Sequence, residues 1–311
     1  MQKFDNTLRK FAGYLRLWAE GPRWTSADRC RERAGSAYRP YGDRMAREVW
    51  ADGAAYEAYV GRWSRLVAAE FLAGLELPPG LRWLDVGCGT GALTSTVLAR
   101  TEPARVDGVD PSEGFVAHAR TRVDDPRVVF HVGDARSLPL PDAAVDVVVS
   151  GLALNFVPDP ARAVAEFARV VAPGGVAAAY VWDYADGMVL MRHFWDAATA
   201  RDPAAVELDE GRRYPLCQPE PLRALWAGAG FRDVSVRPVE VPTVFADFAD
   251  YWTPFLGGQG SAPGYVSSLA EPDRAELREL LRVRVPTGPD GAIRLSARAW
   301  AVRGTAPTPR S

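Results

Sequence analysis

The stretch WLDVGCGTGALT at residues 83–94 constrains the fold of this chain more than any other part of the sequence. An apolar run leads directly into Gly87, Gly89 and Gly91, and a helical pattern follows. Glycine permits positive φ and lets a ligand approach the backbone, and the first turn of a helix presents unpaired N–H groups. A strand, a glycine-rich loop and a helix in this order indicate a βα unit that binds a ligand at the loop.

Strand and helix patterns alternate along the middle of the chain. Apolar runs predict five strands, at residues 82–86, 105–109, 128–132, 145–150 and 176–182. Helical patterns lie between and after them, at residues 91–100, 112–122, 160–171 and 187–200. Runs such as VDVVV and VAAAYVW are apolar on both faces, which is typical of a parallel sheet covered by helices on both sides. The fold class is therefore α/β, with a doubly wound, mostly parallel sheet.

The C-terminal part departs from this alternation. Two alternating patterns, at residues 231–241 and 293–302, predict two further strands. About 50 residues separate these two strands, and a connection of that length must carry its own structure or a function. We expect insertions at residues 183–217 and 242–291 to cover a substrate site.

Composition excludes several classes of protein. The 311 residues have a formal net charge of −2, which gives no reason to expect nucleic acid as a partner. No run of 18 or more apolar residues predicts a membrane span, and the N-terminus has no signal-peptide pattern. The three cysteines are scattered, so the sequence predicts neither a disulfide framework nor a metal site. A reducing cytoplasm is the expected compartment.

Charge divides the chain near residue 48. Residues 1–48 hold eleven Lys/Arg and six Asp/Glu, a net charge of +5, so the remaining residues carry −7. We interpret residues 1–48 as a basic, poorly ordered extension and residues 49–311 as the folded domain. The alternative for the extension is an arm that docks on a partner or touches nucleic acid.

Two cofactors suit the glycine loop. The pattern Gly87-x-Gly89-x-x-Ala92, with Asp110 about twenty residues on, fits the dinucleotide fingerprint. Asp85, two residues before the first glycine, argues against that cofactor because a carboxylate there repels a pyrophosphate. S-adenosylmethionine has no phosphate and carries a cationic sulfonium and an ammonium group. Asp85 therefore favours S-adenosylmethionine over NAD.

Two further aspartates follow the second and third strands. Asp110 can accept hydrogen bonds from both ribose hydroxyls, and we include its neighbour Pro111 among the cofactor-binding residues. The alternative role of Asp110 is to cap the next helix, but Ser112 can serve as that cap. Asp134 can accept from an adenine amino group while the N–H of Ala135 reaches a ring nitrogen; the alternative is an ordinary turn aspartate.

Five blocks of sequence resemble one family. LDVGCGTG, VDGVDPS, GDARSLPL, DVVVSGLALNFVPDP and RVVAPGG occur in this order over residues 52–240 and resemble the class I S-adenosylmethionine-dependent methyltransferases. The resemblance implies a seven-stranded sheet of order 3-2-1-4-5-7-6 with strand 7 antiparallel. It also implies that the aromatic segment after residue 241 is an insertion between strands 6 and 7.

The resemblance also implies where the cofactor lies. Gly87, Cys88 and Gly89 would follow its methionine part, Asp110 would bind the ribose, and Asp134 and Ala135 would meet the adenine. The end of strand 4 would line the site with Ser150, Gly151 and Leu152.

Few residues suit acid–base chemistry. Methyl transfer from a sulfonium is an in-line displacement, so positioning and exclusion of water supply much of the catalysis. Asp183 at the end of strand 5 and His193 beyond it are our candidates for a substrate-contacting or basic residue. For Asp183 the alternative is a turn or cap. Arg62 is a candidate to bind the cofactor carboxylate bidentately, and the alternative is a solvent-facing arginine.

The acceptor class follows from what is missing. The place of a DPPY-type nucleic-acid signature reads GLALNF, and residues 52–311 hold no basic stripe with interleaved aromatics. We therefore expect a small-molecule acceptor. Aromatic residues of the insertions are interpreted either as the core of a helical cap or as the lining of a pocket. A cofactor-binding interaction module without catalysis and an NAD-dependent oxidoreductase remain as alternative functions.

Overall fold

The computed structural model describes residues 62–257 and 260–308. The prediction for residues 1–48 lies outside the described residues. Seven strands form one sheet, namely β1 (Arg82–Val86), β2 (Arg105–Asp110), β3 (Val128–Val132), β4 (Val145–Gly151), β5 (Val171–Trp182), β6 (Arg232–Phe245) and β7 (Ile293–Thr305).

The sheet has the order β3-β2-β1-β4-β5-β7-β6. Strands β1 to β5 pair in parallel, and β7 is antiparallel to both β5 and β6. Both the order and the antiparallel strand agree with the prediction. Because β1 lies between β2 and β4, the chain reverses its direction of winding at β1. Ligands of open α/β sheets bind in the crevice at such a switch point, beyond the carboxyl ends of the strands.

The described helices flank this sheet or belong to its insertions. They are α1 (Arg62–Ala73), α2 (Ala92–Thr101), α3 (Glu113–Arg122), α4 (Pro160–Val170), α5 (Val189–Arg201), α6 (Glu210–Arg213), α7 (Pro219–Gly228), α8 (Phe248–Trp252), α9 (Ser261–Ser268) and α10 (Glu271–Arg284). Three short 3₁₀ turns accompany them, at Leu154–Phe156, Pro203–Leu208 and Thr253–Leu256. In this part of the chain no helix is long and apolar enough to cross a membrane.

The core lies along the central strands. Residues 147–149 of β4 and 177–179 of β5 are completely buried, as expected for strands with both faces covered. The helix α4 shows how the sequence sets local structure. Asp159 caps it by accepting from the N–H of Arg162, and Pro160 occupies its first turn. The face of α4 that carries Ala163, Val164 and Phe167 is buried, and α4 contacts β5 of the sheet.

The two insertions pack on each other. Arg201 at the end of α5 pairs with Asp273 and Glu276 of α10, and Arg213 donates to the hydroxyl of Ser261. The rings of Phe194 and Phe255 and their neighbours are fully or nearly fully buried between these helices. The segments between β5 and β6 and between β6 and β7 therefore form one cap with an aromatic core.

Candidate functional site

The glycine loop is a left-handed turn at the carboxyl end of β1. Gly87, Gly89 and Gly91 have φ of +74°, +53° and +86°, values that glycine adopts without the penalty other residues incur. The N–H groups of Gly87 and Cys88 donate to the carbonyl of Val109 at 2.8 and 3.1 Å. The thiol of Cys88 packs with the buried apolar side chains between α3 and the sheet, so this residue offers its backbone to a ligand.

Asp110 ties this loop to the end of β2. Its Oδ2 accepts from the N–H of Gly89 at 3.0 Å, and its Oδ1 accepts from the N–H of Ser112 at 2.8 Å. Ser112 itself caps α3 by accepting from the N–H of Phe115, as the sequence suggested. Burial raises the pKa of Asp110 to about 6. Each carboxylate oxygen has one protein donor and keeps acceptor capacity for a ribose hydroxyl.

Asp85 lies deeper than the sequence argument assumed. Its side chain is completely buried in β1, and Oδ2 accepts from the hydroxyl of Thr94 at 2.7 Å. Oδ1 has no hydrogen-bond partner among the described residues. Burial raises the pKa of Asp85 to about 7. The cause is that an isolated charge is poorly solvated in the buried strand.

Asp134 is engaged by a neighbour. Both of its carboxylate oxygens accept from the guanidinium of Arg136, at 2.6 to 3.1 Å, and Oδ1 also accepts from the Arg136 N–H. Burial acts to raise the pKa of Asp134, but the hydrogen bonds from Arg136 outweigh it and leave this pKa below its ordinary value. An adenine amino group could bond to Asp134 only if Arg136 moved. The backbone of the buried Ala135 is the better candidate for an adenine contact.

The end of β4 is strained. Ser150 is buried, and a Cβ on Gly151 would lie 2.5 Å from the Tyr180 hydroxyl. Leu152 has a φ of +57°, and its N–H donates to the carbonyl of Tyr180 at 2.8 Å. A non-glycine residue in the left-handed region is uncommon, and such strain clusters at functional sites. Because β4 pairs in parallel with β1, its carboxyl end lies at the same edge of the sheet as the glycine loop.

The structure argues against Asp183 as a base. Its side chain is 1% exposed, and both Nε and Nη2 of Arg298 in β7 donate to its Oδ2 at 2.7 Å. Its Oδ1 accepts from the N–H of Asp186, so the carboxylate also closes the turn after β5. Each oxygen of this buried carboxylate already has a protein donor, so Asp183 is not presented to a substrate. The alternative role in a turn fits these contacts, and Asp183 fastens the end of β5 to β7.

We expect Asp183→Asn to lower the free energy of unfolding by about 3 kcal/mol, because one partner of a buried ion pair is lost. Urea denaturation measures the change, and Asp186→Asn is the matched control, because Asp186 is the exposed residue of the same turn. A variant with native stability but greatly reduced turnover would show that Asp183 acts in the reaction instead.

Arg62 at the start of α1 contacts the cap, and His193 lies in the cap, so neither is in the glycine loop. The Nη1 of Arg62 donates to Asp250 at 3.1 Å, and its guanidinium lies over Trp63 and Phe245. Its Nε and Nη2 are buried without a partner among the described residues. His193 on α5 is half-buried, and burial lowers its pKa. A neutral imidazole at neutral pH can accept a proton.

Several residues near the site were not predicted. Thr94, Arg136 and Arg298 hold the three aspartates Asp85, Asp134 and Asp183. The rings of Phe156 and Tyr184 both contact Tyr214, with centroids 5.3 and 5.7 Å apart, beyond the ends of β4 and β5. The spacing of Asp134 and Arg136 could have indicated their ion pair. Residues far apart in sequence offer no such signal.

Comparisons with known proteins agree on one family. Residues 84–179 match a family model described as a methyltransferase domain. A 2-methyl-6-phytyl-1,4-hydroquinone methyltransferase from Synechocystis is 32% identical over 64% of this chain and 63% of its own length. A 27-O-demethylrifamycin SV methyltransferase from Amycolatopsis mediterranei is 43% identical over 33% of this chain and 40% of its own length. The chain thus spans less than two thirds of these curated relatives.

A solved structure shares the fold. A putative methyltransferase from an antibiotic biosynthesis pathway of Anabaena variabilis superposes with a TM-score of 0.53 at 21% identity, over 76% of this chain and 98% of its own. The sheet and its glycine loop define a doubly wound α/β protein with a ligand crevice at β1. Residues 84–179 therefore match a methyltransferase domain, and the sheet order and glycine loop are those that the resemblance to class I S-adenosylmethionine-dependent methyltransferases implies.

The residues at the crevice fit the cofactor of this family, S-adenosylmethionine. A Cβ added to Gly89 would meet nothing within 4 Å, so the loop borders open space. Asp110 offers acceptors to a ribose, and the buried Asp85 has an acceptor that no described residue satisfies. Among the described residues, no group of three or more side chains could hold a metal ion.

Protonation of the two buried carboxyls makes binding dependent on pH. The folded pKa of Asp110 and Asp85, about 6 and about 7, lies above the ordinary value of 3.8. From pH 4 to 7 the ligand-free fold binds protons more tightly than the unfolded chain, so this contribution to stability falls as pH rises. A cationic ligand favours the ionised forms, and we expect its affinity to rise from pH 5 to 8.

Calorimetry at pH 6 in two buffers of different ionisation enthalpy measures the protons exchanged. We expect S-adenosylmethionine to release protons on binding, and Asp85→Asn to release fewer. Binding without proton release would contradict the raised pKa values.

Proposed function

We propose that this protein transfers the methyl group of S-adenosylmethionine to a small-molecule acceptor by in-line displacement. The observation that carries the proposal is the left-handed Gly89 beside open space, with its N–H held by the carboxylate of Asp110. This geometry leaves room for a ligand against the backbone and directs an acidic acceptor to the ligand's edge. The matched family and its cofactor are consistent with it.

The residues of this chain act mainly by positioning. The cofactor supplies an already activated methyl group, so the protein has to hold the two reactants in line and exclude water. Asp110 and the glycine loop orient the nucleoside, and the cap formed by the two insertions covers the carboxyl side of the sheet. Asp183 is held by Arg298 and fastens the end of β5 to β7. His193 remains our candidate for a base where the acceptor needs one.

A small-molecule acceptor is supported by two observations. The relatives described above are named for a phytyl hydroquinone and a rifamycin derivative. The Phe156, Tyr184 and Tyr214 rings gather beyond the ends of β4 and β5, where aromatic faces suit a planar or apolar acceptor. We also propose the cytoplasm as the compartment, since Cys88 and Cys217 are free thiols. We further propose that residues 1–48 are an extension separate from the folded domain of residues 49–311.

The proposal is tested by incubating the full chain with methyl-labelled S-adenosylmethionine and a metabolite extract. We expect mass spectrometry to show a small product heavier by one labelled methyl group in place of a hydrogen. The Asp110→Ala variant at the same concentration is the control for enzyme-dependent transfer. Tight cofactor binding with no labelled product from any extract would instead favour the non-catalytic interaction module.

A further inference from the structure

The loop between β3 and β4 is held by side chains of a helix that follows it in sequence. This loop, residues 133–144, carries Asp134 and Ala135. We propose that Glu166 and Arg169 of α4 are positioning residues that set the loop for recognition of adenine. The inference rests on the proposed function, because it assumes that an adenosyl group lies against this loop.

Two carbonyls and one N–H of the loop bond to this pair. The N–H of Leu138 donates to Glu166 Oε2 at 2.8 Å. Arg169 donates in return to the carbonyls of Leu138 and Leu140, at 3.1 and 2.8 Å, and to the carboxylate of Asp142 at 2.9 Å. One arginine therefore fixes three successive parts of the loop.

The pair is rigid because it is bidentate. Nε and Nη2 of Arg169 donate to the two oxygens of Glu166 at 2.8 and 2.6 Å. These hydrogen bonds lower the pKa of Glu166, so the carboxylate stays charged at neutral pH. The planar fork of arginine matches a carboxylate in a way that lysine cannot.

Further hydrogen bonds connect the part of the loop held by Glu166 and Arg169 to Asp134 and Ala135, the residues expected at the adenine. The N–H of Ser137 donates to the carbonyl of Asp134 at 3.0 Å, and Arg162 of α4 donates to the carbonyl of Arg136 at 3.0 Å. On its other side, the N–H of Gly133 donates to the carbonyl of Asp110. The segment holding Ala135 is thus fixed from β2 at one end and from α4 at the other.

The fold of α4 does not depend on this pair. Its buried residues are Ala163, Val164, Phe167 and Val170, and these make the helix face that packs inward. Glu166 and Arg169 are partly exposed at its edge, with side chains 19% and 31% accessible. Removing the pair should therefore loosen the loop more than it destabilises the domain.

The test compares two ligands that differ only at the base. S-adenosylhomocysteine carries an acceptor at ring position N1, whereas S-inosylhomocysteine carries an N–H donor there and a carbonyl in place of the amino group. A fixed backbone N–H at Ala135 should favour the first ligand about tenfold or more, since the second leaves polar groups unpaired. The quantity measured by calorimetry is the ratio of the two dissociation constants.

We expect Arg169→Met to reduce this ratio to within about twofold of one, while Glu166→Gln, which keeps an acceptor for Leu138, retains most of it. Arg82→Met is the matched control, because Arg82 also makes a bidentate pair, with Asp146, at the amino end of β1, whereas the glycine loop follows its carboxyl end. That control should leave the ratio unchanged.

A ratio in Arg169→Met equal to that of the natural protein would overturn the inference, as would the absence of any preference in the natural protein. If Arg169→Met does not fold, Glu166→Ala is measured for the same ratio and decides the matter in the same way. Failure of the natural protein to bind S-adenosylhomocysteine at all would count against the proposed function itself. The two failures are therefore distinguishable.

Discussion

Gly89→Ala is expected to weaken binding of S-adenosylmethionine strongly and leave the domain folded. Gly89 has a φ of +53°, and a Cβ there would meet nothing within 4 Å in the ligand-free protein. An alanine therefore costs only the strain of the left-handed region, about 1–2 kcal/mol. Its methyl group would project into the space that the methionine part of the cofactor is expected to fill. We expect the affinity to fall by about ten- to a hundredfold, because inserting an extra methyl group into a packed site costs about 1–3 kcal/mol.

Alanine substitutions at two other glycines are controls that distinguish backbone strain from a steric clash with the cofactor. Gly80, in the turn before β1, has a φ of +80° and also has nothing within 4 Å of its added Cβ. Gly80→Ala should thus lose a similar amount of stability and keep cofactor affinity. Gly87→Ala should destabilise the fold strongly, because its Cβ would lie 2.4 Å from that of Ala153. Calorimetry for affinity and thermal unfolding for stability measure the three variants together. Tight binding by Gly89→Ala would mean that the cofactor does not follow this loop.

Asp110→Ala is the second change with a large expected effect. It removes a charged acceptor from the ribose and also leaves the N–H groups of Gly89 and Ser112 without their partner. Hydrogen bonds to charged groups contribute about 1.5–3 kcal/mol each. The affinity for S-adenosylmethionine and S-adenosylhomocysteine should therefore fall by about ten- to a hundredfold. Asp110→Asn should lose less, since the amide oxygen still accepts from one of these donors.

Asp107 provides the control on the same strand. Its carboxylate pairs with Arg105 and with His131, at 2.7 and 2.8 Å, and faces neither the glycine loop nor Ser112. Asp107→Ala should lower stability and leave the dissociation constant within about twofold of the natural value. Equal losses of affinity in both variants would show that the effect of Asp110 is a general destabilisation of β2.

The strands were largely predictable from the sequence. The first four are short apolar runs, and β6 and β7 have alternating patterns. The apolar runs predict β1 and β3 at the very residues where they occur. The pattern placed the start of β5 at residue 176, whereas the strand begins at Val171. The residues between include Pro173, Gly174 and Gly175, which lower strand propensity and lie in an irregularity of the pairing with β4, where Val171 pairs with Val145 and Val176 with Val147.

The side chains of the site were predicted less completely, because their partners are set by the tertiary fold. The role of Asp110 could be predicted from its near neighbours. Because Ser112 caps the following helix, the carboxylate of Asp110 is not needed as that cap and keeps acceptor capacity for a ligand. The pairing of Asp183 with Arg298 joins residues 115 positions apart, and no periodicity reports it. The complete burial of Asp85 has the same origin, since it depends on α2 and on both flanking strands.

The aromatic residues of the insertions illustrate a different difficulty. Composition alone leaves open whether such rings pack together or line a pocket. Phe194, Tyr251 and Phe255 are completely buried and contact one another as pairs, so these rings form the core of the cap. Whether these rings form a core or line a pocket depends on how the two insertions pack together. The two insertions are separated in sequence by β6, so no local pattern indicates this packing.

The central claim is that the loop at β1 binds S-adenosylmethionine in preference to a dinucleotide. Isothermal titration of the full chain with S-adenosylmethionine, S-adenosylhomocysteine and NAD, each under the same buffer conditions, tests it most directly. We expect one saturable site for each adenosyl ligand, and heats for NAD no larger than those of dilution. Saturable binding of NAD that the adenosyl ligands displace, or no heat from any adenosyl ligand, would contradict the account.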